Sequence, residues 1–325
     1  MIVRWRSLRR AQKRSLIREV HFAMGTLLDV ALYHADREVG LKILREACRE
    51  ARRLEALLSY HLPTSELSRL NARAGHSPCE VSPELFRVLS TAHRWARRTH
   101  GAFDPTLGAV RDLWREAARR GGMPEEVQIQ AVLRAGGWSK LRLIAPCQVE
   151  LTAAGMALDL GGIGKGYAVD QMGFILRQHG VCHALINFGE SSLLAIGPRP
   201  DGRAWPILVR NLDGTASGES IAIQDQGVSS SASFSQTLTL AGRSLSHVID
   251  PRHGHPVEQP LAVTVLAPTA TAAEALSTAL LIWGSTGEAI PLLPAGVSAY
   301  HLKRAGELVL FRRTSGHATL RPIRL

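Results

Sequence analysis

The chain has 325 residues, of which 45% are apolar and 21% charged, a balance that suits a packed globular fold and excludes a disordered or fibrous one. The formal net charge of +11 favours an anionic partner, but much of the excess precedes the first strand-like run, at Arg4, Arg6, Arg9, Arg10, Lys13, Arg14 and Arg18. Trp5 is the one aromatic residue among them and no nucleic-acid motif follows, so nucleic acid is not the expected partner.

No run approaches the ~18 apolar residues of a membrane span, so no transmembrane segment is expected, and the basic start does not continue into a signal-peptide pattern. Cys48, Cys79, Cys147 and Cys182 are too scattered for a zinc site or a disulfide framework. The expectation is a cytoplasmic protein with a basic arm over residues 1–20 and one domain over 21–325.

In chain order, Thr26 to Tyr33 reads as a strand, and Asp36 then opens a helix with apolar positions at Val39, Ile43, Ala47, Leu54 and Leu58. Ser82 and Pro83 suit the cap and first position of a second helix, with Leu85, Val88, Leu89, Ala92 and Trp95 at helical spacing. Pro124 and Gly136-Gly137 bracket a third. Strands follow at Leu141 to Ala145 and Val149 to Thr152, then a helix from Ile163 to His179 ended by Gly180. Further strands are expected at Ala184 to Phe188, Leu193 to Ile196, Trp205 to Val209, Leu245 to Ile249 and Leu261 to Leu266, and a buried helix at Thr271 to Trp283. Helices and strands mix without strict βαβ alternation, so the fold class is α+β.

Four stretches concentrate polar residues in apolar context. Gly101-Ala102-Phe103-Asp104-Pro105-Thr106 is turn-rich, and Asp104 suits either a cap or a ligand contact. Asp159 to Tyr167 puts four glycines and Lys165 at the mouth of a helix, where backbone N–H groups and a point charge can meet phosphate. It is not a Walker A loop, because Asp159 stands at the first glycine position and Gly166 follows the lysine; a tight strand-to-helix turn is the alternative. Ser246-His247-Val248 runs into a Pro/Gly turn, where His247 could serve as a general base. On the last helix Glu274 and Thr278 share a face within about 40°, with Ser277 beside them. Carboxylate and hydroxyl oxygens suit Mg2+, while back-bonding to helix carbonyls is the alternative.

In this order the stretches resemble the ApbE family of FAD:protein FMN transferases, over roughly Met24 to Gly284. Met24-Gly25-Thr26, the run Ser65 to Asn71, Phe103-Asp104-Pro105-Thr106, Asp159 to Tyr167, His247 to Gly254 and Glu274 to Thr278 carry the resemblance. It implies one compact α+β unit around a central FAD cleft. It also implies a Mg2+-dependent transferase that cleaves FAD, attaches FMN through a phosphoester to a Thr or Ser hydroxyl of an acceptor flavoprotein, and releases AMP.

By resemblance, Met24, Ala102, Phe103, Asp104, Asp159, Lys165 and Val248 contact FAD, and His61 holds the place of an aromatic residue beside it. Gly162, Glu274, Ser277 and Thr278 surround the metal, and His247 is catalytic. The family usually has Asp at Glu274 and often Ser or Ala at Gly162, and a more glycine-containing loop in place of Val228 to Ala232. A Mg2+-dependent FAD pyrophosphatase and a non-catalytic FAD-binding protein are the alternative functions.

Overall fold

The computed structural model describes residues 14–210, 216–234, 237–240, 242–258, 260–284, 293–302, 308–314 and 317–323. Its first element is a hairpin of β1 (Ser15–Ala23) and β2 (Thr26–His34), joined by Met24 and Gly25. Both turn residues have positive φ, +46° and +74°, the twist that two-residue hairpin loops favour. Residues 15–20 are therefore strand rather than arm. Arg18 is part of the fold, bound to Asp29 at 2.6 Å, and the earlier basic residues through Lys13 lie outside the described residues.

Alternation along the hairpin turns Ile17, Leu28, Val30 and Leu32 to one face, where helix α1 (Arg37–Leu58) covers them. Asp36 caps this helix by accepting from Val39 N–H. The buried stripe runs through Ile43, Leu44, Ala47, Ala51 and Leu54, so Val39, expected on it, lies instead on the exposed side.

The main sheet adds β6 (Ala184–Phe188), β7 (Ser192–Ile196), β10 (Gly227–Ala232), β13 (Ala262–Ala267), β14 (Ser298–Leu302), β15 (Leu308–Thr314) and β16 (His317–Ile323). Its order is β1-β2-β6-β7-β10-β13-β14-β15-β16, antiparallel at every pairing. Two further helices, α6 (Gly164–Gln178) and α7 (Ala270–Trp283), lie with α1 on one face. The hairpin of β8 (Trp205–Arg210) and β9 (Ala216–Ile223) covers part of the other through Trp205 and Ile223.

Between α1 and α6 the chain builds a helical subregion: α2 (Glu66–Asn71), β3 (Cys79–Glu80), α3 (Pro83–Arg98), α4 (Gly108–Arg120), α5 (Glu126–Ala135), β4 (Leu141–Ile144) and β5 (Gln148–Leu151). Ser82 caps α3 through Leu85 N–H. A small hairpin, β11 (Thr237–Leu240) with β12 (Arg243–Ser246), packs beside α4. The α+β class expected from the sequence is the class observed.

Several elements differ from expectation. Helices α2 and α4 were not anticipated. The segment Val228 to Ala232, read as loop, is central strand. Its serines are accommodated because Ser229 and Ser231 hydroxyls bond Ser277 and Ser230 bonds Thr264. The strand expected over Leu245 to Ile249 ends at Ser246, because the chain then pairs with its own continuation through Val257 N–H to Val248 O and Asp250 N–H to His255 O. No described helix is long and apolar enough to cross a membrane.

Candidate active site

A cleft of about 1630 Å³ opens between the helical subregion and the main sheet, and residues from every predicted stretch line it. Met24, His61, Ala102, Phe103, Asp104, Asp159, Gly162, Lys165, His247, Val248, Glu274 and Thr278 all reach its wall. Ser277 does not line it. Its hydroxyl is fully buried, bonded to Glu274 O, Ser229 and Ser231, and serves to join α7 to the sheet.

The glycine-rich turn is built by close contact rather than by side-chain caps. Asp159 N–H donates to Pro105 O at 2.7 Å, and its Oδ1 accepts from Gly161 N–H at 2.9 Å. Gly164 N–H closes on Leu160 O at 2.7 Å, and helix α6 starts there. A Cβ at Gly166 would sit 2.5 Å from Ala270 O, so only glycine lets the starts of α6 and α7 approach this closely. Asp170 fixes the same junction from one turn along, accepting from Ala270 N–H and Thr271 N–H at 2.9 Å and from the Thr271 hydroxyl at 2.5 Å. Burial pushes the Asp170 carboxyl up despite those three donors.

This junction sets Lys165 beside Glu274. The buried Glu274 carboxylate accepts from Gly166 N–H at 2.6 Å and from the Ser192 hydroxyl at 3.2 Å, and it pairs with Lys165 Nζ at 2.9 Å. Thr278 donates its hydroxyl to Glu274 O at 3.2 Å, which leaves its oxygen lone pairs available. A Cβ on Gly162 would lie 3.3 Å from Thr278 Oγ1 and 3.2 Å from Phe103 Cε2, so the Gly162 backbone and the Thr278 hydroxyl are neighbours across a space a side chain would crowd. The Gly162 backbone, the Glu274 carboxylate and the Thr278 hydroxyl offer oxygens of the kind a hard cation such as Mg2+ takes, with the Lys165 ammonium beside them.

His247, also on the cleft wall, stands at the foot of an irregular hairpin spanning 248–257. Its tip, Gly254, has φ +77° and a Cβ there would lie 2.7 Å from Ile129 Cγ2, so the tip inserts between α4 and α5. Trp114 Nε1–H donates to Gly254 O at 2.8 Å. Asp250 binds Arg252, which also donates to Ile282 O of α7 at 3.2 Å. Burial alone would raise the Asp250 carboxyl, but the Arg252 hydrogen bonds and charge outweigh it and hold it below the usual carboxylate value.

Asp104 spends its carboxylate inside the protein. Oδ1 accepts from Thr106 N–H and Oγ1–H at 2.8 and 2.7 Å, and Oδ2 from Trp138 N–H at 3.1 Å. It organises the loop before α4 rather than capping the helix, whose N-cap is Leu107.

At one end of the cleft is a group that sequence reasoning did not assemble. The Arg111 guanidinium lies 4.5 Å from the centre of the Tyr60 ring and pairs with Asp159. Tyr60 bonds Asp112, and Arg115 approaches His61 Nε2 at 3.5 Å. Burial, with the charges of Arg111 and Arg115, lowers the His61 pKa. The available signal was the i,i+4 spacing of Arg111 and Arg115, which needs α4 to be recognised first.

Sequence and structure comparisons agree on this architecture. The ApbE family profile matches residues 24–299. An FAD:protein FMN transferase of Treponema pallidum is 30% identical over 299 residues, covering 83% of this chain and 80% of the relative. One from Escherichia coli K12 is 28% identical, covering 87% and 83%. Among solved structures, the ApbE protein of Thermotoga maritima superposes with a TM-score of 0.80 at 24% identity, over 93% of this chain and 97% of that one. The apo form of the Pseudomonas stutzeri flavinyl transferase ApbE does so with 0.76 at 25% identity, over 95% of each.

Proposed function

The chain belongs to the ApbE family, and we propose that it is a Mg2+-dependent FAD:protein FMN transferase acting on a Thr or Ser hydroxyl of an acceptor flavoprotein. The observation that supports this reading is the meeting, in one cleft, of the glycine-rich turn with Lys165, oxygen atoms at Gly162, Glu274 and Thr278, and His247. Met24, His61, Ala102, Phe103, Asp104, Asp159 and Val248 complete the FAD-binding surface.

In this reaction the acceptor oxygen forms a bond to the FMN phosphorus as the P–O bond to AMP breaks. His247 takes the proton from the hydroxyl, a contribution of about 10²–10⁴-fold for general base catalysis. Lys165 places its ammonium on a phosphate oxygen. Gly162, Glu274 and Thr278 would hold Mg2+, which supplies charge neutralisation on the pyrophosphate oxygens. The four cysteines are unpaired, as suits the cytoplasmic setting included in the proposal.

The rival reading, an FAD carrier, draws on the Glu274 carboxylate being already engaged by Lys165. Chromatography of a mixture of the protein, FAD and Mg2+ with an acceptor domain separates them: the proposal expects AMP to accumulate, and bound FAD recovered intact with no AMP contradicts it. AMP accompanied by stoichiometric free FMN would identify a pyrophosphatase instead.

A further inference from the structure

Both oxygens of the Glu274 carboxylate are in use. Oε1 faces Lys165 Nζ at 2.9 Å and the Ser192 hydroxyl at 3.2 Å, and Oε2 accepts from Gly166 N–H at 2.6 Å. The partners differ in how easily they can leave. Gly166 N–H is fixed in helix α6, whereas Lys165 sits on a flexible four-carbon stem and is the more exposed member of its pair, 25% against 5%. They differ also in their effect on an incoming dication. A hydroxyl can stay beside it or join it, but an ammonium group a few ångströms away repels it strongly in a buried setting.

We propose that Glu274 carries two cations in alternation: the Lys165 ammonium before the metal arrives, and the divalent ion afterwards, with Lys165 released toward the FAD phosphate. The proposal rests on the reading of this cleft as a metal-assisted FAD site. The glutamate side chain explains the exchange, because its extra methylene relative to aspartate lets one carboxylate span from α7 to both Lys165 and the Gly166 N–H. Lys165 thus competes with the metal in the nucleotide-free protein and cooperates with it once FAD is present.

The test uses Mn2+ alone as the probe, titrated into the full chain without nucleotide at pH 8 and followed by the paramagnetic resonance of the free ion. Lys165→Met should bind Mn2+ about tenfold more tightly than the unaltered protein, within the range of ordinary site-to-site coupling. Lys165→Arg, which keeps the competing charge, should resemble the unaltered protein. A folded Lys165→Met variant that binds Mn2+ no more tightly overturns the exchange and leaves the metal reading standing. A second measurement needs no variant: acetylation of Lys165 by acetic anhydride, read by peptide mass spectrometry, should accelerate several-fold on adding Mg2+ alone, and an unchanged rate also overturns it. Absence of Mn2+ binding in every form, with or without FAD, would remove the metal reading and the proposal together.

Discussion

Trp114 and Gly254, 140 positions apart in the chain, are joined by a buried hydrogen bond of 2.8 Å from the indole Nε1–H to the glycine carbonyl. The bond ties the cleft wall on α4 to the tip of the hairpin whose foot is His247. Trp114→Phe removes the donor, leaving the carbonyl unsatisfied at a cost of about 1–3 kcal/mol of stability, and adds a cavity cost because the smaller ring does not fill the buried indole site. Urea denaturation measures this. If His247 is the base proposed above, the same variant should lose more kcat than FAD affinity, since it disturbs the hairpin beside His247 and not the glycine-rich turn.

Gly166 offers a steric test of the α6–α7 junction. Gly166→Ala would press a methyl group to 2.5 Å from Ala270 O and 2.9 Å from Thr271 Cα, and overpacking of this kind costs about 1–3 kcal/mol. Thermal melting should fall and FAD binding should weaken, because Lys165 and Glu274 move apart. Gly122 has nothing within 4 Å of an added Cβ and no positive φ, so Gly122→Ala should leave both measurements unchanged.

The role of Lys165 as a point charge can be isolated by ligand choice. Lys165→Ala should weaken FAD binding about 10–100-fold, the loss of a charge-assisted hydrogen bond of about 1.5–3 kcal/mol. Riboflavin, which has no phosphate, should bind both forms equally in a fluorescence titration. Equal weakening for the two ligands would mean that the lysine acts only by shaping the turn.

Asp250 links stability to acid. Its folded pKa is held below the unfolded value of 3.8 by Arg252. The folded state therefore binds the proton less readily than the unfolded one. The stabilisation is present above the unfolded value and is lost as pH falls through the folded one. Asp250→Asn should flatten the loss of stability between about pH 5 and pH 2, measured by urea denaturation at stepped pH, and an unchanged slope would mean that the Arg252 pair contributes nothing.

The elements legible in the sequence were those with a strong period and a clear boundary. The strand Ala184–Phe188 was placed to the residue, and the helix ended by Gly180 and the one capped by Asp36 were each placed within a residue or two. Strand β10 was hidden because three consecutive serines carry no apolar alternation, and only the tertiary partners Ser277 and Thr264 make them fit a buried sheet. Helix α4 was hidden because its N-cap, Leu107, makes no side-chain cap bond. The cleft lining was legible where its residues are close in sequence, as in the turn from Asp159 to Lys165. It was not legible where distant segments meet, as with Arg111 over Tyr60 or Ser192 on Glu274. Ser277, placed beside the metal by the resemblance, has its hydroxyl bonded to Glu274 O, Ser229 and Ser231, partners no local pattern reveals.

The central claim is that this cleft moves FMN from FAD to a protein hydroxyl, with His247 as the base. The most direct measurement mixes the protein, FAD and Mg2+ with a flavoprotein acceptor domain presenting a threonine, and reads flavin fluorescence in the acceptor band of a denaturing gel. A fluorescent acceptor band with the unaltered protein, reduced about 10²–10⁴-fold in rate with His247→Ala while FAD still binds, is the predicted result. A dark acceptor band with the unaltered protein, or undiminished labelling by His247→Ala at neutral pH, would contradict it.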